Sequence, residues 1–178
     1  ALGKAMANGY PMAALCGRRD LMEQFNTHPN GGVLFAGTYN GHALGCAAAL
    51  ATIETLENPE TYARIFALGT RMRLGLESIA TRLNLKATVA GFGSVFLTYF
   101  QEGPIECYDD LLRNDAEFFV AYRRRMLERG IFMLPMNLKR NHLGLSHTEA
   151  HVDHTLQACE DVLTAMTTGR STVVSTPA

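Results

Sequence analysis

Gly37-Thr38-Tyr39-Asn40-Gly41-His42 (GTYNGH) runs without a break into Ala43-Leu44-Gly45-Cys46 and on through an alanine-rich stretch to Ile53. The reading of the chain turns on this junction. Two glycines framing a threonine and an asparagine make a tight loop, and the residues behind it predict a helix from about His42 to Leu56. That helix is apolar nearly all round, which predicts a buried element and not an amphipathic one. Unpaired backbone N–H groups at a helix start, beside a threonine hydroxyl, form an anion site suited to phosphate. A plainly capped loop uses the same residue types, so both readings stand on this stretch alone.

Upstream, Pro11 to Gly17 (PMAALCG) is a short apolar run suited to a buried strand. Asp20 opens a short helix with Leu21, Met22 and Phe25, and Asn26 to Gly32 (NTHPNGG) is a loop. Val33 to Ala36 is apolar again.

Downstream, Asn58-Pro59 marks a break, taken as a domain boundary that separates 1–57 from 58–178. From Glu60 to Leu83 the apolar residues Ile65, Leu68, Met72, Leu76, Ile79 and Leu83 recur at helical spacing between charges, an amphipathic helix. Lys86 to Phe100 (KATVAGFGSVFLTYF) predicts two strands meeting at Gly91 and Gly93. A charged helix over about Asn114 to Arg129 ends at Gly130. Ile131–Leu134 and His142–Leu145 are short strand candidates. Thr148 caps a last helix with Val152, Leu156, Cys159, Leu163 and Met166 on one face, and the tail from about Thr167 reads as frayed. The fold class is α/β, with an αββα-like second half.

The 178 residues carry a net charge of −1, which gives no basic surface for nucleic acid and no charged tail. Arg123-Arg124-Arg125 reads as the wet face of a helix. The longest strongly apolar stretch, Ala43 to Ile53, is too short to span a bilayer. Cys16, Cys46, Cys107 and Cys159 lie far apart with no CxxC pair, as in a cytosolic, reducing setting. The opening Ala1-Leu2-Gly3-Lys4 has no initiator methionine and reads as the interior of a longer chain.

Lys4 is one of three lysines, with Lys86 and Lys139. It sits among Leu2, Ala5, Met6 and Ala7, a setting in which a desolvated amine could serve as a nucleophile. An ordinary lysine fits as well. Arg140, in the loop Pro135 to Asn141, offers a planar fork for a carboxylate, or is a solvated loop cation. His147, His151 and His154 fall at i, i+4 and i+7, a conceivable metal set, but they read more simply as surface histidines at a helix start. No metal is expected.

Four motifs in order carry a resemblance. They are Leu2-Gly3-Lys4 with Asn8-Gly9-Tyr10-Pro11-Met12-Ala13-Ala14 and Gly17-Arg18-Arg19-Asp20-Leu21-Met22, then Ala36 to Leu44, then Gly91-Phe92-Gly93-Ser94-Val95-Phe96, then Leu143-Gly144-Leu145-Ser146-His147-Thr148-Glu149. From Ala1 to about Met166 the chain resembles the class III aminotransferases that depend on pyridoxal phosphate, in the branch of glutamate-1-semialdehyde aminomutase. The resemblance implies a fold-type-I transferase, of which 1–57 would be the end of the large cofactor-binding domain and 58–178 the small domain. It implies that Lys4 carries the cofactor and moves protons at the substrate's carbon. It places Thr38 at the cofactor phosphate of the neighbouring subunit in a homodimer, with Gly37 beside it to let the backbone approach. The implied activity is transfer or migration of an amino group on an amino-acid-like substrate; Arg140, singled out by its guanidinium and not by the resemblance, is the candidate for that substrate's carboxylate. A departure is Ala43, where many members have proline. Family residues upstream of Lys4 are absent from this sequence, so the alternative is a non-catalytic truncated homologue or dimerisation fragment.

Overall fold

The computed structural model describes residues 1–135 and 138–171. The chain divides into two compact units, Ala1–Thr61 and a second beginning at Tyr62.

The first unit holds a 3-10 turn, Lys4–Ala7, a short helix α1, Arg19–Met22, and most importantly α2, Ala43–Glu57. The apolar run Pro11–Gly17 is not a strand. Its one ladder contact is the bridge from Ala14 back to Leu2, because no further extended segment lies alongside to continue the pairing. Val33 likewise makes only a single bridge, to Phe25. Helix α2 forms where its composition predicts, but it is not buried. Only Gly45 and Ala49 are covered, while Leu44, Leu50 and Ile53 are exposed. The turn at Lys4–Ala7 packs against one side of α2, and the unit has no second layer to cover the rest.

The second unit is built around a three-stranded antiparallel sheet in the order β1-β2-β3. Strands β1, Thr88–Phe92, and β2, Val95–Tyr99, form the hairpin read from the glycines, with Phe92 opposite Val95 and Thr88 opposite Tyr99. Arg73 Nη1 donates to the carbonyl of Gly93 at 2.6 Å and ties the turn to the preceding helix. Strand β3 is only Asn141–His142, paired with Phe96 and Val95. It occupies the second edge of β2, and among the described residues 131–134 pairs with no strand. That stretch is therefore an irregular connection and not the expected strand, held by the bond from Arg123 Nε to the Met133 carbonyl at 2.8 Å.

Three helices cover the sheet. Helix α3, Pro59–Arg82, contributes Leu68, Met72, Leu76 and Ile79. Helix α5, Ala116–Glu128, contributes Phe118, Phe119, Tyr122 and Met126, and α6, Glu149–Ser171, contributes Val152, Cys159, Val162, Leu163 and Met166. These sets follow the 3.6-residue period read from the sequence. Asp115 caps α5, its carboxylate accepting from Phe118 N–H at 2.9 Å, and the Asn114 side chain accepts from the buried Phe100 N–H. A one-turn helix, α4, Tyr108–Leu111, precedes them. Thr148 caps α6 as expected, its hydroxyl accepting from His151 N–H. Helix α6 continues through Ser171, beyond the expected fraying point at Thr167. The residues after Ser171 lie outside the described residues. Exposed pairs Arg71–Asp153 and Arg82–Glu160, both 2.7 Å, join α3 to α6; such pairs contribute about 0–1 kcal/mol each.

Truncating Phe119 or Met126, which are 2% and 0% exposed, should destabilise the unit by about 3–5 and 2–5 kcal/mol in urea unfolding. The same truncation at Phe92, 81% exposed, should stay within about 0.5 kcal/mol. Burial pushes the Cys159 thiol up to about 11. Since the thiolate is the reactive form, iodoacetamide at neutral pH should modify exposed Cys16 and Cys107 and spare Cys159 until the protein unfolds.

Candidate active site

The segment carrying Lys4 is fixed by two backbone bonds. Leu2 N–H donates to the Ala14 carbonyl and Ala14 N–H to that of Leu2, each at 2.8 Å. Between these anchors the chain must reverse. It does so through the 3-10 turn, with Met6 N–H bonded to Gly3 O and Asn8 N–H to Ala5 O, both 3.2 Å. Lys4 opens that turn at φ 54° and Asn8 closes it at φ 46°. A lysine in the left-handed region costs on the order of 1–3 kcal/mol and persists only where the surroundings over-determine it. Asparagine tolerates the region; lysine gains nothing local from it. The lysine is also exposed, so the desolvated setting read from its apolar neighbours is not what the fold provides. Leu2 and Ala5 are exposed with it, and only Ala7 is fully buried beneath the turn.

Helix α2 connects this turn to the threonine loop. In the first turn of α2, buried Gly45 faces the incoming chain, where a Cβ would stand at ordinary contact distance, 3.5 Å from Met12 Cβ and 3.6 Å from the Pro11 carbonyl. At the head of α2, His42 is the cap, its Nδ1 accepting from Gly45 N–H at 3.3 Å, and its ring packs on Tyr39. Ala43 is therefore the first helical residue, a position where proline fits equally well, so the departure seen there leaves the loop intact.

Within the loop, Asn40 N–H bonds to Gly37 O at 3.0 Å and His42 N–H to Tyr39 O at 3.1 Å. Asn40 folds its side chain over Gly37, where a Cβ would stand only 2.9 Å from Asn40 Oδ1. A side chain at 37 would push Asn40 away. As it is, Gly37 leaves bare backbone beside the exposed Thr38, and the N–H groups of Thr38 and Tyr39 are not used by the loop's own bonds. Hydroxyl and N–H donors without a covering side chain fit a phosphate. Asn40 and His42 are the residues that sequence reasoning did not single out. The N-G pair at 40–41 was legible as a turn, but not the reach of Asn40 back to Gly37.

Lys4, Gly37 and Thr38 thus belong to one unit and flank one helix, and among the described residues no hydrogen bond joins Lys4 to the other two. Arg140 belongs to the second unit. It is exposed and lines a cavity of about 220 Å³ bounded by α3, β2, α5, α6 and the 131–134 and 140–143 segments. His147 and His151 line the same cavity, with ring centroids 6.2 Å apart; His154 does not join them. Among the described residues no three His, Cys, Asp or Glu side chains converge on a metal position.

Residues 1–163 match the Aminotransferase class-III family. The chain belongs to that family. It is 37% identical over 160 residues to a glutamate-1-semialdehyde 2,1-aminomutase of Desulforudis audaxviator, covering 90% of this chain and 37% of that protein. It is 40% identical over 163 residues to the corresponding protein of Thermus thermophilus, covering 91% and 38%. The chain thus spans well under half the length of these relatives. In three dimensions it is similar to a β-phenylalanine aminotransferase from Variovorax paradoxus, with a TM-score of 0.75 and 23% identity over 84% of this chain and 34% of that one. The α/β, fold-type-I reading stands on these matches. No helix is long and apolar enough to cross a membrane among the described residues.

The left-handed backbone at Lys4 has a measurable signature. In an ordinary helical turn glycine is less stable than alanine by about 1 kcal/mol. At position 4 the order should invert, with Lys4→Gly more stable than Lys4→Ala by about 1 kcal/mol in urea unfolding. The helical order, alanine above glycine, would show that the turn carries no strain.

Proposed function

We propose that the protein to which this chain belongs uses pyridoxal phosphate to transfer or migrate an amino group on an amino-acid-like substrate. The observation that carries the proposal is the strained, exposed lysine at the head of a turn pinned by the Leu2–Ala14 bridge, at the place the family motif assigns to the cofactor lysine. When bound, pyridoxal phosphate supplies the electron sink for bond cleavage at the carbon bearing the amino group. Lys4 would be the residue that holds the cofactor, and its amine would hold and move the proton at that carbon. Thr38, through its hydroxyl and N–H, binds the cofactor phosphate of the neighbouring subunit, with Gly37 leaving room for the approach. Arg140 meets the substrate's carboxylate through its guanidinium.

The proposal includes a homodimer. Support comes from α2, whose Leu44, Leu50 and Ile53 stand exposed and need covering by another surface. We place 1–57 at the end of the large domain and 58–178 in the small one, and the protein in the cytosol, in keeping with four free cysteines. The same exposed helix also favours a second reading, a truncated homologue that serves only to dimerise.

Adding pyridoxal phosphate to the full-length protein should give the visible absorption band of a lysine-bound cofactor, and borohydride reduction should fix the label on the peptide containing Lys4. Label on Lys86 or Lys139 would remove Lys4 from its role, and no band with unchanged dimerisation would favour the second reading. Thr38→Val should weaken cofactor binding about tenfold, the effect of one hydrogen bond to a charged phosphate.

A further inference from the structure

The segment that carries Thr38 has no core to hold it. Residues 32–42 are all exposed. Among the described residues, the backbone bond with both partners inside 36–41 is the one from Asn40 N–H to Gly37 O. The place of Thr38 is therefore set by what grips the two ends of the segment. At each end the grip is a side-chain acceptor that holds a backbone N–H.

The incoming end is held by Asn26, the first residue of the Asn26 to Gly32 loop. Its N–H donates to the Val33 carbonyl at 2.8 Å, and its Oδ1 accepts from Phe35 N–H at 2.9 Å. These two bonds bracket Leu34, so a single residue fixes the direction in which the chain leaves for Thr38. The Phe25 ring, 5.0 Å from that of Phe35, adds an apolar contact at the same place. The outgoing end is held by His42. Its N–H donates to the Tyr39 carbonyl at 3.1 Å, and its carbonyl accepts from Cys46 N–H at 2.9 Å. Its Nδ1 accepts from Gly45 N–H at 3.3 Å, which locks the end of the loop to the first turn of α2. Its ring, with centroid 5.6 Å from that of Tyr39, reaches back to the residue beside Thr38.

Between these grips Thr38 has Gly37 on one side and Gly41 on the other, residues that leave the chain free to take many conformations. Each residue left free adds entropy that binding of a phosphate would have to remove. Holding both ends lowers that cost before the ligand arrives. We propose that Asn26 and His42 are positioning residues for the phosphate loop. They keep the Thr38 hydroxyl, and the N–H groups of Thr38 and Tyr39, in the arrangement that receives the phosphate, and they act through the loop and not on the cofactor itself. The proposal rests on the reading above, in which this loop meets the phosphate of pyridoxal phosphate.

The test compares pyridoxal phosphate with pyridoxal, which lacks the phosphate, by absorbance titration of the full-length protein freed of cofactor. Asn26→Leu and His42→Ala are each expected to weaken pyridoxal phosphate about fivefold, the usual effect of losing a capping acceptor, and to leave pyridoxal unchanged. His42→Asn, which keeps an acceptor for Gly45 N–H, is expected to bind pyridoxal phosphate as the parent protein does. At saturating cofactor, KM for the amino substrate and kcat should be unaltered in all three. Equal loss of pyridoxal phosphate and pyridoxal overturns the proposal, because the two residues would then support the fold at large. Failure of His42→Asn to restore binding overturns the part assigned to His42, and unchanged affinity in Asn26→Leu the part assigned to Asn26. If Thr38→Val weakens pyridoxal phosphate while Asn26→Leu and His42→Ala do not, the phosphate reading stands and the proposal falls. If Thr38→Val has no effect, the phosphate role of the loop falls, and the proposal with it.

Discussion

Strand β2 is covered on both faces, and the second unit is organised by that requirement. A strand of five residues with Phe96, Leu97 and Thr98 all buried cannot face water on either side, so helices must be packed around it. The periodic apolar faces of α3, α5 and α6 meet this need, and the loops between them are placed as a result. β3 closes the second edge of β2, and 131–134 run outside the sheet.

The first unit obeys a different constraint. Its backbone is organised by single bridges and turn bonds with little apolar burial, the usual composition of a surface that completes itself against something else. Here strain is local and held by few contacts: two bonds at Leu2 and Ala14 fix the ends of a turn whose first residue sits where lysine is disfavoured.

What could be read from the sequence follows from range. The helices α2, α3, α5 and α6, the Gly93 hairpin and the cap at Thr148 rest on contacts between near neighbours, so their patterns are visible in the chain. Pro11–Gly17 and Ile131–Leu134 have strand composition but lack strand partners, and partner availability is a long-range property that no local pattern records. The burial of α2 was misjudged for the same reason: an apolar helix announces that it wants cover, not that cover is present. At the candidate site, the ordered motifs single out Lys4, Gly37 and Thr38 as expectations, and the structure places all three in the first unit. The left-handed φ at Lys4 was not legible, since it goes with the bridge from Leu2 to Ala14 further along the chain, and neither was the fold of Asn40 over Gly37, a choice of side-chain rotamer that composition does not record.

Helix α2 also bears on how such a protein is made. With Leu34, Phe35, Tyr39, Leu44, Leu50 and Ile53 all exposed on the first unit, any period in which that surface stands uncovered is a period of adhesion to other chains. During synthesis the race is between covering that surface and aggregation. The yield of soluble protein would then depend on concentration, temperature and chaperone supply as much as on the stability of the well-packed second unit.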